Sequence, residues 1–144
     1  MANALKISEA CSLAMHALAH MVRNPAKIAT TPQMALELGA SEAHLAKVMQ
    51  RLVKSELVHS IRGPHGGFTL ARPAERISLM DIYEVIEGHF EPAHCLLAKP
   101  ACDGTNCILG GLIGTINLQL QQYLKNTTLQ HLAIRTRNDI LDKV

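Results

Sequence analysis

Residues 31 to 70 constrain the fold more tightly than any other part of this 144-residue chain. Thr31-Pro32 sets a capping threonine before a proline at the first helical position, where the missing N–H would have no helical partner anyway. Met34, Ala35 and Leu38 follow at helical spacing, and Gly39 stops the run. Two residues on, Ser41 caps a longer helix reaching about Ser55, with Leu45, Val48, Met49, Leu52 and Val53 facing inward. A short helix, the LGAS turn at 38–41 and a longer helix form a helix-turn-helix pattern, although an ordinary helical corner has the same outline. The following residues separate these readings. Val58-His59-Ser60-Ile61-Arg62 alternates as a half-buried strand does, GPHGG at 63–67 is turn chemistry, and Phe68-Thr69-Leu70 alternates again. A hairpin with Arg62 and His65 at its tip, placed directly after such a helix pair, makes a winged helix. Its glycines are expected to remove bulk where backbone approaches a phosphate or a groove floor.

The rest of the chain fits a mainly α fold. Apolar residues make up 48% and aromatics only 3%, with no Trp, so the core is built from Leu, Ile, Ala and Met and favours packed helices. Ser8 caps a first helix with Leu13, Ala14, Ala17, Leu18 and Met21 inward, ending near Asn24-Pro25. Glu9, His16 and His20 interrupt the apolar start, so a signal peptide is not expected, and no apolar run is long enough for a membrane span. A cytoplasmic setting follows, in which four cysteines argue for metal or redox chemistry rather than disulfides. Residues 1–76 carry nine Lys/Arg against five Asp/Glu, and residues 77–144 carry five against seven. The first part is thus the basic, working end. A division into a winged helix-turn-helix domain (1–76) and a part holding a cysteine loop and association helices (77–144) is expected.

Ser78 caps a helix with Asp81 in the capping-box position, and Gly88 ends it. CLLAKPACDGTNC (95–107) follows, with three of the four cysteines separated by six and then four residues. Beyond it, Leu109, Leu112, Ile113, Ile116, Leu120, Tyr123 and Leu124 form one apolar stripe, opposite Asn117, Gln119, Gln121 and Lys125. Such a long C-terminal helix, over about 108–125, needs a cover. Either a two-fold partner copy or its own domain supplies one. Thr128 begins a last short helix with Leu129, Leu132 and Ile134.

Thiolates suit soft metals and iron–sulfur clusters. Structural zinc prefers tighter cysteine pairs, so the gaps here fit a loop wrapped around something larger. Lys99 would offset its charge. A fourth ligand has to come from elsewhere: Cys11, Ser12, Glu9, His16 and His94 are candidates, and Cys11 on its apolar helix also reads as a small buried hydrophobe. Reduced, unliganded thiols are the plain alternative.

These features together resemble the Rrf-type bacterial transcription regulators, the IscR-, NsrR- and CymR-like winged-helix proteins. LKIS (5–8) with LAMHAL (13–18) resembles the family's first helix. LGASEAHLAKVMQRLVKSELVHSIRGPHGGFTLARP (38–73) resembles its helix-turn-helix and wing. ISLMDIYEVIEG (77–88), the triple cysteine and TTLQHL (127–132) complete the likeness. The resemblance implies a homodimeric regulator, not an enzyme, that binds double-stranded DNA. It implies a two-iron or four-iron iron–sulfur cluster on Cys95, Cys102 and Cys107 that senses redox, nitric oxide or cluster status. In related proteins the fourth ligand comes from just past the third cysteine or from the first helix of the other subunit. Here those places hold Leu109 and Gly110, or Ser12 beside Cys11, a departure from the family's commonest patterns. The DNA-binding residues implied are Ser41, Glu42, His44, Lys47, Gln50 and Arg51 on the recognition helix, in a major groove, and Arg62, Gly63, His65, Gly66 and Gly67 in the wing, against a minor groove. A cluster-free thiol regulator and a protein-interaction module are the alternatives. No nucleophile–base constellation or phosphate loop points to an enzyme.

Overall fold

The computed structural model describes residues 5–133. Helix α1 (Glu9–Arg23) starts where Ser8 Oγ accepts the Cys11 N–H, and it stops at Asn24, before Pro25. Helices α2 (Thr31–Leu38) and α3 (Glu42–Lys54) form the helix-turn-helix. The cap of α2 is Thr30, one residue earlier than expected. Thr31 already has helical backbone, and Pro32 sits at the second helical position, where its missing donor is equally harmless. Gly39 closes α2 at φ 62, a left-handed position that suits glycine, and its N–H returns to Leu36 O. Ser41 Oγ caps α3 by accepting the His44 N–H.

After α3 the chain reverses through Glu56, at φ 61, so that the Leu57 N–H reaches Leu52 O. Strands β1 (Val58–Ile61) and β2 (Gly67–Leu70) then pair antiparallel, with Val58 opposite Leu70 and Ile61 opposite Gly67. The hairpin is sewn to the segment before α2 by two bonds, from Phe68 N to Ala29 O and from Ala29 N to Phe68 O. Beyond a short 3₁₀ turn at Ala74–Arg76, α4 (Leu79–Glu87) opens on the expected capping box. Ser78 Oγ accepts from Asp81 N, and Asp81 Oδ2 accepts from Ser78 N.

The fold is the mainly helical winged helix-turn-helix that the sequence predicts, with a difference at its far end. Helix α5 spans Leu112–Asn126, 15 residues and about 22 Å, the same length as α1, and is not a long arm. It starts four residues late because Gly110 and Gly111, at φ 57 and 80, turn the chain out of right-handed helix. Residues 129–133 are helical, with Thr128 at the cap, where its N–H meets His131 Nδ1. Ile134, expected in that helix, lies outside the described residues.

One apolar core runs through all of this. Leu18, Met34, Leu45, Met49 and Leu52 of the first three helices pack with Leu57, Ile77, Ile82 and Leu129. The segment after α5 is strapped antiparallel to the start of α4. Leu79 N donates to Thr127 O, and Leu129 N donates to Ile77 O. The head therefore shares its core with residues from the far side of the cysteine loop.

Candidate functional site

The outward face of α3 follows from its buried one. With Leu45, Val48, Met49 and Leu52 inside, Ala43, Lys47, Gln50 and Lys54 recur at spacings of four, three and four on the opposite side, and all four are exposed. Lys54 was missed at the sequence level, although the same helical period extended one step past Gln50 would have found it. Ala46, Gln50, Val53 and Lys54 meet Ser60 and Phe68 of the hairpin around an open notch of about 330 Å³. A basic helix face and the wing thus border one concavity.

The remaining predicted residues fall into distinct settings. Ser41 is engaged as the helix cap, Glu42 is exposed beside it, and His44 is half-buried. Arg62, Gly63 and His65 are exposed at the wing tip. Gly66 and Gly67 have a reason within the fold itself to be glycine. A side chain at Gly66 would place its Cβ 2.1 Å from Ile61 O, and one at Gly67 would lie 2.4 Å from Ala29 O. Their bareness lets the wing close on itself and on the segment before α2. Arg51 is exposed, and its guanidinium also reaches the end of α4, where Nη2 donates to Ile86 O at 2.6 Å and to Val85 O at 3.2 Å.

The cysteine loop hangs between α4 and α5. Phe90 is buried against Tyr83, ring centroids 5.2 Å apart, and fixes the way in. Asn117 fixes it again three residues on, at Ala93. The asparagine was expected on the outer face of α5, yet it is 1% exposed. Ile113, Asn117, Leu120 and Leu124 share the inward face, so the single predicted stripe divides, leaving Leu112 and Tyr123 exposed on a second one. Asn117 Oδ1 accepts the Ala93 N–H at 3.0 Å, and its Nδ2 donates to Ile113 O at 2.9 Å. His94 lies on α5 where Gly114 leaves room, since a Cβ there would stand 3.1 Å from His94 Nδ1. Removing the amide strands the Ala93 N–H, and Asn117→Leu is expected to cost about 1–3 kcal/mol of unfolding free energy, read as a lowered urea midpoint.

The three loop sulfurs are accessible to different degrees. Cys102 is exposed, and Cys95 and Cys107 are half-buried. Cys95 Sγ accepts the Leu97 N–H at 3.4 Å, and Cys107 Sγ accepts that of Leu109 at the same distance. The Leu109 N–H first, then those of Gly111 and Gly110, hold the Cys107 thiol below its ordinary pKa. Beside Cys102, Asp103 accepts from both the hydroxyl and the N–H of Thr105, which lowers its carboxyl pKa and pins the turn. Cys11 is the opposite case. It is fully buried, and desolvation, helped by Glu87, pushes its thiol up to about 12. Soft sulfurs that already receive backbone N–H groups match the chemistry of an iron–sulfur ligand set. Among the described residues, no three His, Cys, Asp or Glu side chains are gathered into a ready-made metal group, and none of the helices is long and apolar enough to cross a membrane.

The comparisons agree with this architecture. The family model Rrf2, described as an iron-dependent transcriptional regulator, matches residues 7–135. An HTH-type transcriptional regulator of Aquifex aeolicus is 30% identical over 128 residues, covering 87% of this chain and 89% of that protein. The HTH-type transcriptional regulator IscR of Sodalis glossinidius is 29% identical over 106 residues, 74% of this chain and 63% of its own. The solved structure of CymR (YrzC), the global cysteine regulator of B. subtilis, superposes with a TM-score of 0.74 at 25% identity, covering 90% of this chain and 97% of that one. T. potens IscR superposes at 0.68 with 20% identity, covering 91% and 88%, a likeness of fold alone.

Proposed function

The chain belongs to the Rrf2 family of transcriptional regulators, DNA-binding proteins rather than enzymes, and on that premise we propose that it grips operator DNA as a homodimer whose hold depends on an iron–sulfur cluster at Cys95, Cys102 and Cys107. The observation that carries the DNA half is the exposed row Lys47, Gln50 and Lys54 beside the notch under the wing. A helix face of this kind enters a major groove, where Lys47 and Lys54 neutralise phosphates and Gln50 reaches base edges. Arg62 and His65, at the wing tip, lie against the neighbouring minor groove, whose negative potential favours cations. Ser41 and Glu42 shape the start of the helix. In this reading residues 1–76 carry the DNA contact and residues 77–144 carry the loop and the association helix.

The observation behind the cluster half is the pair of N–H-supported sulfurs, Cys95 and Cys107, with the exposed Cys102 between them. When bound, the cluster supplies redox chemistry and irons that oxidants or nitric oxide attack. The chain's own part is to present three thiolates and to hold the way into the loop through Phe90 and the bond from Ala93 to Asn117. A partner copy covers Leu112 and Tyr123 on α5, which are about half exposed, and so sets the separation of two heads over half-sites about 34–36 Å apart. A second reading, in which the same three thiols oxidise without iron, is favoured by the exposure of Cys102 and the N–H groups that favour the Cys107 thiolate.

The test begins with anaerobic purification, native mass and visible absorption. It continues with binding to a duplex selected from a random-sequence pool by the protein itself. A coloured dimer whose affinity falls linearly with log salt is expected, with Lys47→Ala weakening binding to all sequences and reducing the salt slope by about one. Colourless protein at stoichiometrically negligible iron supports the thiol reading. An unchanged slope in both Lys47→Ala and Lys54→Ala removes α3 from the interface.

A further inference from the structure

We propose that Arg51 is a positioning residue, a strut between the recognition helix and the helix that leads into the cysteine loop, and not a contact to DNA. The proposal rests on the reading above that the loop's state controls DNA binding, and its first observation is independent of that reading. Arg51 sits on α3 but spends its guanidinium on two backbone carbonyls of the last turn of α4, Ile86 O at 2.6 Å and Val85 O at 3.2 Å. Carbonyls in a helix's last turn have no partner within the helix, and a cation there also meets the negative end of the helix dipole. A 2.6 Å bond from a charged donor is a short, directional contact. Because its acceptors are end carbonyls, the contact exists only while the last turn of α4 keeps its present position and winding.

That last turn is also where the loop is anchored. Gly88 follows α4 at φ 88, and its N–H closes on Glu84 O. Phe90 then buries its ring on Tyr83 of α4 itself, and Ala93 is tied to Asn117 of α5. Between α4 and Cys95 the chain is thus fixed at two points. The other end of α4 is fixed as well, by the bonds of Thr127 and Leu129 to the backbone of Leu79 and Ile77. A loop that closes around a cofactor, or opens on losing it, presses on the end of α4 that Arg51 holds. The other side of Arg51 is the recognition helix. Lys47 lies one helical turn before it and Lys54 three residues after it, on the neighbouring outward face. A shift of Ile86 and Val85 therefore re-aims Lys47, Gln50 and Lys54 beneath the wing. In binding terms, Arg51 carries part of the coupling free energy between loop and DNA.

The test uses full-length protein under anaerobic conditions and the duplex selected by the wild type. Affinity is measured for cluster-loaded and iron-free wild type, Arg51→Ala and Arg51→Lys, each across a salt series, with visible absorption and thermal unfolding as controls. The two wild-type forms are expected to differ by about 5–150-fold. In Arg51→Ala that ratio is expected to fall to within about threefold, with the salt slope and the cluster absorption both unchanged. Arg51→Lys keeps the charge but loses the planar two-carbonyl reach, and it is expected to lose the ratio in the same way. It also guards against an alanine variant that folds poorly. The proposal is overturned if Arg51→Ala lowers the affinity of both forms equally and reduces the salt slope by about one while Arg51→Lys keeps the slope, the mark of a phosphate contact. It is equally overturned if the wild-type ratio survives in both variants. Should wild type itself show no difference between its forms, the cluster-dependent reading fails. The salt slopes still decide whether Arg51 touches DNA, so the two failures are told apart.

Discussion

Anaerobically purified Cys107→Ser protein is expected to be colourless, with iron at background, while Cys11→Ala keeps the full visible absorption of the wild type. The contrast follows from two thiols in opposite surroundings. Cys107 lies in a turn whose backbone N–H groups, Leu109 foremost, point at its sulfur and favour the thiolate, the form that binds iron. Serine there offers an alkoxide precursor that does not ionise near neutrality. Cys11 is sealed in the core, and burial, with Glu87 nearby, raises its thiol to about 12. At any physiological pH it is a neutral, small apolar group, and alanine replaces it at the cost of a modest cavity. The raised value carries its own sign. A thiol ionising less readily in the folded chain than at its ordinary 9.0 leaves stability intact below about pH 9, and stability falls as pH rises from there toward 12. Cys11→Ala should therefore lose less stability than wild type over that interval in urea titrations. Brown Cys107→Ser protein, or bleached Cys11→Ala, would reverse the assignment of the two thiols.

Gly66→Val is the second large effect, and it concerns the wing. Any Cβ at that position stands 2.1 Å from Ile61 O and 2.9 Å from Gly63 O, both backbone atoms that cannot swing aside. The turn must open or the strand pair must slip. A destabilisation of about 3 kcal/mol is expected, which for a chain of this size lowers the melting temperature by roughly 6–12 °C. Operator binding should fall further than stability alone explains, because Arg62 and His65 ride on the distorted tip. Gly63→Ala is the control. A Cβ there meets nothing within 4 Å, and only its left-handed φ of 108 resists the change. If Gly66→Val binds and melts as wild type does, the wing does not close on itself in this way.

How much of this was written in the sequence varies by element. Serine caps at Ser8, Ser41 and Ser78 are local signals, each read by backbone N–H groups three residues on, so they survived folding unchanged. The hairpin was legible for the same reason. What needed coordinates was long-range. Asn117 looked like a solvent residue because amides usually are; it is buried because the Ala93 N–H, from a loop two dozen positions earlier, requires an acceptor there. Arg51 was legible as part of the recognition helix. Its reach toward α4 depends on where α4 packs, which no periodicity within α3 encodes. The turn glycines were legible as a turn, but that backbone atoms of Ile61 and Ala29 leave no room for a side chain at Gly66 and Gly67 follows only from the packed hairpin. Lys54 was an arithmetic omission. The three cysteines were plain from spacing and chemistry, whereas their placement within the loop depends on turns that spacing does not determine.

The strap between residues 127–129 and residues 77–79 bears on how the protein is made. Ribosomes deliver the helix-turn-helix and hairpin long before Leu129, yet Leu129 fills the same interior as Ile77 and Ile82. A nascent polypeptide that has released its residues only through α4 (Leu79–Glu87) holds an unsealed core, and the start of that helix lacks its strap. Competence to occupy a promoter should therefore arrive late in translation, almost all at once, and truncated products of interrupted synthesis should be poor competitors for the finished regulator's sites.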